Sequence, residues 1–188
     1  EAIMRTLNKS APEARKLTEL YPLKNFDLIY MTGSGTSYHA GLAGQYAMAT
    51  ITKTFTSVIP SSEFKYWVPH SASKKSMVFA ISQSGESTDV LSAATAARDN
   101  GSIVVAITNT PGSSLTRLAH ITIHTYAGEE KAVTATKTYT SQLAAMFTIA
   151  LSSAEMQSVA DEETLLKLKK TITEVPRHVE KTISASEP

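Results

Sequence analysis

Short apolar runs alternate along this chain with longer segments in which apolar residues recur every three or four positions. The segments at residues 37–51 and 87–99 have this helical spacing. Five apolar runs predict strands, at residues 27–31, 55–59, 77–81, 103–107 and 121–125. Because strands that alternate with helices generally pair in parallel, the pattern predicts an α/β protein built on a parallel sheet.

Helical patterns also lie outside this alternating region. Residues 1–20 and 137–157 predict one helix each, and a stripe of Leu, Ile and Val recurs between residues 165 and 183. Pro176 interrupts that stripe, which predicts either two helices or one strongly kinked helix. We therefore divide the chain into an N-terminal helix (1–22), a central domain (23–160) and a C-terminal helical linker or dimerisation segment (161–188).

Composition excludes several classes of protein. The 188 residues suffice for one sizeable core, and 18 Lys and Arg against 17 Asp and Glu give no field that attracts nucleic acid. No apolar stretch approaches the roughly 20 residues that span a bilayer, so no membrane partner is expected. The absence of Cys excludes disulfides, thiolate nucleophiles and Cys-ligated zinc. It also fits a reducing compartment, and the expected location is the cytoplasm.

Residues 81–89 read ISQSGESTD directly after a buried apolar run. A helix that begins here presents unpaired backbone N–H groups to an anion, and Gly85 lets the backbone approach it. The segment lacks the lysine of a nucleoside triphosphate loop. It therefore predicts a phosphate cradle, unless Ser87 or Thr88 merely caps the helix. The neutral donors of the cradle are Ser82, Gln83, Ser84, Ser87 and Thr88.

Another turn of this kind comes earlier in the chain. This first turn, at residues 32–37, joins the first predicted strand to a helix and contributes Gly35, Thr36 and Ser37, and the segment at residues 82–88 is the second turn. It differs from the dinucleotide fingerprint, because Tyr38 stands where the third glycine belongs and no acidic residue ends the second strand. Two hydroxyl-rich turns at one sheet edge suit a phosphorylated, polyhydroxylated ligand better than NAD. No cofactor is implied.

Five sequence blocks, taken in order, resemble the sugar isomerase (SIS) domain family. The resemblance is closest to the first isomerase domain of glucosamine-6-phosphate synthase, and it extends to related sugar-phosphate isomerases and deaminases. The blocks are TGSGTSYHAG (32–41), EFKY (63–66), ISQSGESTD (81–89), TNTPGSSLTR (108–117) and VTATKTYTSQL (133–143). Five ordered blocks are more specific than any one of them.

The resemblance implies a three-layer fold in which a five-stranded parallel sheet is doubly wound in the flavodoxin-like manner. It implies that Ser82, Gln83, Ser84 and Ser87 hold a sugar phosphate. It places Thr36 and Ser37 at the sugar and phosphate, with Val133 at the border of the sugar. The partners it implies are a phosphorylated sugar and either a second SIS domain or a homodimer or higher homo-oligomer.

The chain also departs from the family pattern. Ser34 stands where many synthases have Cys, and Ser87 where they usually have Thr, and both changes preserve the loop chemistry. In two-domain members a second SIS domain supplies the catalytic Glu and Lys, and those motifs do not occur in this sequence. We therefore expect the N-terminal half of a two-domain enzyme, with isomerase, aminotransferase or deaminase activity on a hexose or hexosamine 6-phosphate.

The catalytic base is not identified by the sequence. His39, Glu129 and Glu130 lie near the expected ligand edge. A carboxylate pair can raise one pKa enough for proton abstraction, but exposed neighbours on a loop usually only solvate, and a helix-face His usually has a structural hydrogen bond. His120 and His124 share a strand face without a third ligand, so no metal site is predicted.

Two other functions remain open at this point. One is a complete single-domain sugar-phosphate isomerase that acts as an oligomer, since a Glu and a His from different subunits do the work in such members of the superfamily. The other is a sugar-phosphate sensor joined to a DNA-binding module, for which residues 1–20 are too short to supply a helix-turn-helix.

Overall fold

The computed structural model describes residues 1–131 and 134–186, and it contains five strands and seven α-helices within them. The strands are β1 (Leu28–Gly33), β2 (Ser57–Pro60), β3 (Ser76–Ile81), β4 (Ile103–Thr108) and β5 (Ile121–His124). The helices are α1 (Ala2–Leu20), α2 (Thr36–Ala47), α3 (Ser61–Trp67), α4 (Thr88–Asp99), α5 (Ser114–Leu118), α6 (Lys137–Gln157) and α7 (Glu162–Ser186).

All five strands pair in parallel in the order β2-β1-β3-β4-β5. This is the flavodoxin-like doubly wound order, in which the direction of winding reverses between β1 and β3. The predicted five-stranded α/β sheet is therefore confirmed. Strands β3 and β4 are almost entirely buried, as expected for continuous apolar runs in a parallel sheet covered on both faces.

Each face of the sheet carries its own apolar core, because successive side chains of a strand point to opposite faces. Met31, Phe79 and Ile107 contribute to the larger core beneath α1, α2 and α6. Val78 and Val104 contribute to the second core, beneath α3, α4 and α5. Helices thus cover both faces and complete the three layers.

Helix α6 has the predicted bounds, and it packs closely against α2. The two helices touch at Gly44, where a methyl group in place of hydrogen would come within 2.4 Å of the Met146 Cε. The Met31 Sδ would lie 3.2 Å from the same methyl group, so a larger residue here would force both methionine side chains to shift. The Ala- and Gly-rich sequence of α2 therefore serves helix packing, and it fixes the position of α6 relative to the first predicted turn.

Strand β5 forms one edge of the sheet, and α1 covers that edge with Glu13. The Glu13 carboxylate accepts hydrogen bonds from the His124 backbone N–H (2.7 Å) and the Tyr126 hydroxyl (2.7 Å), and it lies 2.9 Å from the His124 Nδ1. Burial and the hydrogen bond to Glu13 raise the pKa of Tyr126 to about 12. His124 thus helps to protect a sheet edge, which would otherwise be open to pairing.

Two features differ from the sequence predictions. Helix α3 follows β2 directly at Ser61, whereas no helix was predicted there. Helix α7 continues through Pro176, so the two-helix alternative is wrong. Pro176 is buried, which shows that its ring packs against the protein and does not end the helix.

The apolar stripe of α7 divides into a covered half and an open half. Leu165, Leu168 and Ile172 pack against the larger core. Val179 and Ile183 are 41% and 57% exposed. Only the second half of the stripe is therefore available to a partner.

Within the residues that the structure describes, none of the helices is both long and apolar enough to cross a membrane.

Candidate functional site

The two hydroxyl-rich turns leave the sheet side by side. Gly33 at the end of β1 is the register partner of Ile81 at the end of β3, so both turns begin at the same level on neighbouring strands. This is where the strand order reverses, and ligands of open α/β sheets bind in the crevice at that point. The structure thus brings residues 35–37 and 82–88 to one edge, as predicted.

Backbone groups from the end of β4 to the start of α5 support the second turn through hydrogen bonds. The Ser82 N–H donates to the Ile107 carbonyl (3.0 Å), and the Asn109 N–H donates to the Gln83 carbonyl (3.0 Å). The Leu115 N–H donates to the Gly85 carbonyl (3.0 Å). The backbone of this turn is therefore fixed before any ligand binds.

Gly85 is required by both its conformation and its surroundings. Its φ of +67° lies in the left-handed region that side chains disfavour. A methyl group at this position would also meet Ser113, at 2.1 Å from its Oγ and 2.6 Å from its Cβ. Glycine therefore lets α5 approach the turn from behind.

Glu86 connects the second turn to α5 through its side chain. Its carboxylate accepts a hydrogen bond from the Ser114 backbone N–H at 2.8 Å. That N–H lowers the pKa of Glu86 below its ordinary value. The sequence analysis did not predict a role for Glu86. A carboxylate in a segment predicted to bind phosphate would repel the ligand, so its presence there is itself a sign of a structural role.

Two serine side chains of the second turn are held by the turn's own backbone. The Ser82 Oγ accepts from the Gly85 N–H (3.1 Å), and the Ser84 Oγ accepts from the Glu86 N–H (3.2 Å). A hydroxyl oxygen that accepts in this way keeps its own proton for another acceptor. Both serines can therefore donate to a phosphate oxygen. Gln83, which carries an amide, lies between them in the sequence.

Ser87 and Thr88 begin α4 without acting as side-chain caps. Ser87 occupies the cap position, but its side chain makes no capping hydrogen bond to the described helix, which starts at Thr88. The alternative that these hydroxyls merely cap the helix is therefore not supported. The first N–H groups of a helix have no intrahelical acceptor and suit an anion.

The first turn is built differently, with side chains as its main supports. Gly35 has a φ of +55° and precedes α2, and Thr36 is exposed. Ser37 is only 6% exposed, and its Oγ accepts a hydrogen bond from the Gln142 Nε2 of α6 at 2.9 Å. Ser34 contacts Ser61, with 2.6 Å between the two hydroxyl oxygens.

His39 lies on the first turn of α2, and its imidazole is exposed. Its Nδ1 lies 3.0 Å from the Gly35 carbonyl oxygen. Since a carbonyl oxygen only accepts, Nδ1 carries the proton of the neutral ring and Nε2 keeps a lone pair. The structure thus gives His39 a role in holding Gly35 through Nδ1, and this contact does not involve Nε2.

Glu130 serves the start of α6. Its carboxylate is 2.8 Å from the Lys137 Nζ, and it accepts from the Thr136 N–H (3.0 Å) and the Thr138 hydroxyl (2.9 Å). Lys137 first, and then the Thr136 N–H, lower the pKa of Glu130 to about 2. A carboxylate with so low a pKa is a weak base, so the structure favours a structural role here.

Two further predicted site residues are Glu129 and Val133. Glu129 lines a shallow cavity of about 410 Å³ with Arg5, Lys9 and Tyr126, and no residue of the two turns lines that cavity. Val133, predicted to border the sugar, lies outside the described residues. The structure therefore brings the two turns together, and Glu129 lines a cavity formed by other residues, among them Asn109 and Thr110.

The strand order and the paired turns at its reversal define an open, doubly wound α/β domain with a ligand crevice at the reversal point. The SIS domain model matches residues 23–152, which is more than half of the chain. The chain belongs to the SIS domain family. The resemblance seen in the sequence blocks is thereby confirmed.

Similar proteins include several aminotransferases. Glutamine–fructose-6-phosphate aminotransferase (isomerizing) of Thermococcus kodakarensis is 40% identical over 158 residues, which are 84% of this chain and 26% of that protein. The protein of the same name from Clostridium perfringens is 39% identical over 158 residues, again 84% and 26%. The chain thus spans about a quarter of the length of these curated relatives.

Solved structures share the fold. The C-terminal domain of glucosamine-fructose-6-phosphate aminotransferase from Francisella tularensis matches with a TM-score of 0.76 and 23% identity, over 93% of this chain and 53% of that one. Glucosamine-6-phosphate deaminase of Thermotoga maritima matches with a TM-score of 0.65 and 20% identity, over 94% and 54%. At such identities the likeness establishes the fold alone.

Proposed function

We propose that this chain is the phosphosugar-binding half of an enzyme that isomerises, aminates or deaminates a hexose or hexosamine 6-phosphate. One observation carries the proposal: the two hydroxyl-rich turns begin at the paired positions Gly33 and Ile81 in a chain of the SIS family. Relatives named glutamine–fructose-6-phosphate aminotransferase support fructose 6-phosphate as the first ligand to test.

The chemistry of the two turns supports phosphate binding without a cation. Neither residues 33–37 nor residues 82–88 contain Lys or Arg. Donors are instead the hydroxyls of Ser82, Ser84 and Ser37, together with the N–H groups at the starts of α2 and α4. Such fixed neutral donors position a phosphate and leave the sugar free to react with groups supplied from elsewhere.

The proposed reaction is proton transfer between C1 and C2 of the open-chain sugar by a carboxylate, through an enediol or enolamine. The described residues at the turns contribute hydroxyls, an amide, backbone N–H groups and the Glu86 carboxylate. The Glu86 carboxylate is engaged by the Ser114 N–H, which lowers its pKa and makes it a weaker base, and the other groups do not abstract a carbon-bound proton near neutral pH. Glu130 is held as an anion with a pKa of about 2. We therefore propose that the catalytic base comes from a second SIS domain or a second subunit.

Calorimetric titration tests the binding step. Fructose 6-phosphate is expected to bind, whereas fructose is not. Ser84→Ala should weaken binding by about 1 to 3 kcal/mol, because it removes one donor to a charged oxygen. The matched control is Ser62→Ala, at an exposed serine of α3 outside both turns. Equal affinity for fructose and its phosphate would contradict the proposal.

Solvent-deuterium incorporation tests the division of labour. During long incubation of fructose 6-phosphate in heavy water, the isolated chain should leave C1 unlabelled. Exchange well above that of the Ser84→Ala variant would reveal a base within this chain. The single-domain isomerase would then replace the half-enzyme, and His39, Glu129 and Glu130 would be the residues to substitute first.

The open half of α7 supports the proposal of a macromolecular partner. Val175, Val179 and Ile183 form an exposed apolar stripe beyond the part of the helix that packs on the core. Exposed stripes of this kind favour association. Sedimentation at high micromolar concentration is expected to show self-association that Val179→Glu weakens. A strictly monomeric profile would count against a homo-oligomer formed through this surface.

A further inference from the structure

We propose that Gln142 is a positioning residue that directs the hydroxyl proton of Ser37 toward the phosphate of the ligand. The proposal rests on the function proposed above, in which Ser37 lies at that phosphate. Gln142 is on the second turn of α6, 105 residues away in the chain, and neither composition nor helical spacing marks it as part of a site.

The geometry between the two residues is specific. The Gln142 Nε2 donates to the Ser37 Oγ at 2.9 Å in a fully buried contact. A serine oxygen that accepts from an amide cannot use the same direction for its own proton. Among the residues that the structure describes, none accepts that proton. The Ser37 hydroxyl is therefore poised to donate to a ligand.

The carbonyl oxygen of the Gln142 amide gives a second reason to assign this residue a role at Ser37. Gln142 is 1% exposed, and nothing in the described part of the chain donates a hydrogen bond to its Oε1. An unpaired buried carbonyl oxygen is destabilising, whereas an apolar side chain of similar size would avoid that loss. Stability alone therefore does not explain an amide at this position, but its action on Ser37 does.

The packing of α2 against α6 holds the pair in register. Met146 lies four residues after Gln142, on the same face of α6, and it contacts α2 at Gly44. At its start α6 is held by Glu130, which accepts hydrogen bonds from the Thr136 and Thr138 N–H groups. The distance between Gln142 and Ser37 is thus fixed from both sides.

A double-mutant cycle separates positioning from general support of the fold. The affinity for fructose 6-phosphate is measured by calorimetry in the wild type, Gln142→Leu, Ser37→Ala and the double variant. Gln142→Leu should weaken binding about tenfold, which corresponds to one misdirected phosphate hydrogen bond. In the Ser37→Ala background the same change should alter affinity less than about twofold, because the group through which Gln142 acts is gone.

Two controls keep the outcome clear. Gln45→Leu removes an amide of α2 whose Nε2 donates to the Thr56 carbonyl at 2.7 Å, and it should leave affinity unchanged. Thermal unfolding of Gln142→Leu should stay within about 3 °C of the wild type. Gln142→Met, which also lacks a hydrogen-bond donor, replaces Gln142→Leu in the cycle if the leucine variant does not fold.

Each outcome decides between the proposals. Wild-type affinity in both Gln142 variants would overturn this inference alone, because the Ser37 hydroxyl would then bind the ligand equally well without the amide. An equal loss of affinity with and without Ser37 would also overturn it, since Gln142 would then act through the fold. Failure of the wild type to bind fructose 6-phosphate would refute the proposed function, and this inference with it.

Discussion

The two strand-to-helix turns of the site are similar in sequence but are supported in different ways. The β3–α4 turn is held mainly through its backbone, by Ile107, Asn109 and Leu115, and the Glu86 side chain adds one contact to the Ser114 N–H. The β1–α2 turn is held through its side chains, by Gln142 on α6 and by Ser61 on α3.

This difference shows two routes to preorganisation of a site. A turn held by several backbone hydrogen bonds should be sensitive to the volume of its residues, because a shifted backbone breaks several of these bonds together. A turn held by side chains should be sensitive to their chemistry, and this one should tolerate added volume at Gly35, where a methyl group would meet nothing within 4 Å. The four predictions that follow test this comparison.

The largest effect is expected for Gly85→Ala, compared with Gly35→Ala. Both substitutions place a side chain at positive φ, but only at Gly85 does the methyl group meet Ser113. The free energy of unfolding should fall by about 2 to 4 kcal/mol for Gly85→Ala and by about 1 kcal/mol for Gly35→Ala. Urea denaturation of the two variants measures both values.

A second substitution isolates the steric part of that effect. Ser113→Gly removes the two atoms closest to the new methyl group and leaves the Thr108 Oγ1 at 3.1 Å from it. The double variant with Gly85→Ala and Ser113→Gly should be more stable than Gly85→Ala alone. The stability that it still lacks would then come mainly from the strain of a side chain at positive φ. Equal losses for Gly85→Ala and Gly35→Ala would show that the surroundings of the two turns do not differ as the structure indicates.

A smaller effect is expected at Glu86, which connects the second turn to α5. Glu86→Ala should weaken binding of fructose 6-phosphate about threefold to tenfold, because the turn loses its contact with the Ser114 N–H. Glu86→Gln keeps an acceptor and should lose less. The control is Asp89→Ala, at an exposed carboxylate in the first turn of α4.

The pH dependence of the Glu86 contact has a defined sign. The pKa of Glu86 is lowered from 4.5 by the Ser114 N–H, so the contact is fully present above about pH 4.5 and is lost as pH falls below it. Calorimetry should show the difference between wild type and Glu86→Ala shrinking as the pH falls below 4.5. Tighter binding by Glu86→Ala at pH 7 would mean that repulsion of the phosphate outweighs the support.

The sequence predicted the fold and the second turn well because their determinants are local. A buried apolar run followed by residues 82–88 defines a strand, a turn and a helix within a few positions. Gln142 and Glu86 were missed because their partners, Ser37 and Ser114, lie 105 and 28 residues away, and only the packed structure brings them together. Helix α3 was missed for another reason, since its seven residues are too few to show helical periodicity.

Glu130 should influence the first turn indirectly, by holding the start of the helix that carries Gln142. Its pKa in the folded protein is lowered to about 2 from 4.5, so its contribution to stability is full above about pH 4.5 and is lost as pH falls toward 2. Glu130→Gln should lower the melting temperature at pH 7. This difference should disappear in strong acid, and scanning calorimetry at several pH values measures it. A difference that does not change with pH would assign the effect to packing.

The smallest effect is expected for His39→Ala, at the exposed side of the first turn. The substitution removes the hydrogen bond between the His39 Nδ1 and the Gly35 carbonyl, which water can replace because the contact is exposed. The free energy of unfolding should change by less than about 0.5 kcal/mol, as for most surface substitutions. Affinity for fructose 6-phosphate should change less than about twofold, since Ser37 is held by Gln142 and not by His39. Urea denaturation and calorimetric titration test both values, and Tyr46→Ala, at an exposed residue further along α2, is the control. A larger loss of affinity in His39→Ala alone would show that the Nε2 of this ring contacts the ligand, so that the first turn binds through its exposed side chains as well as through its buried serine.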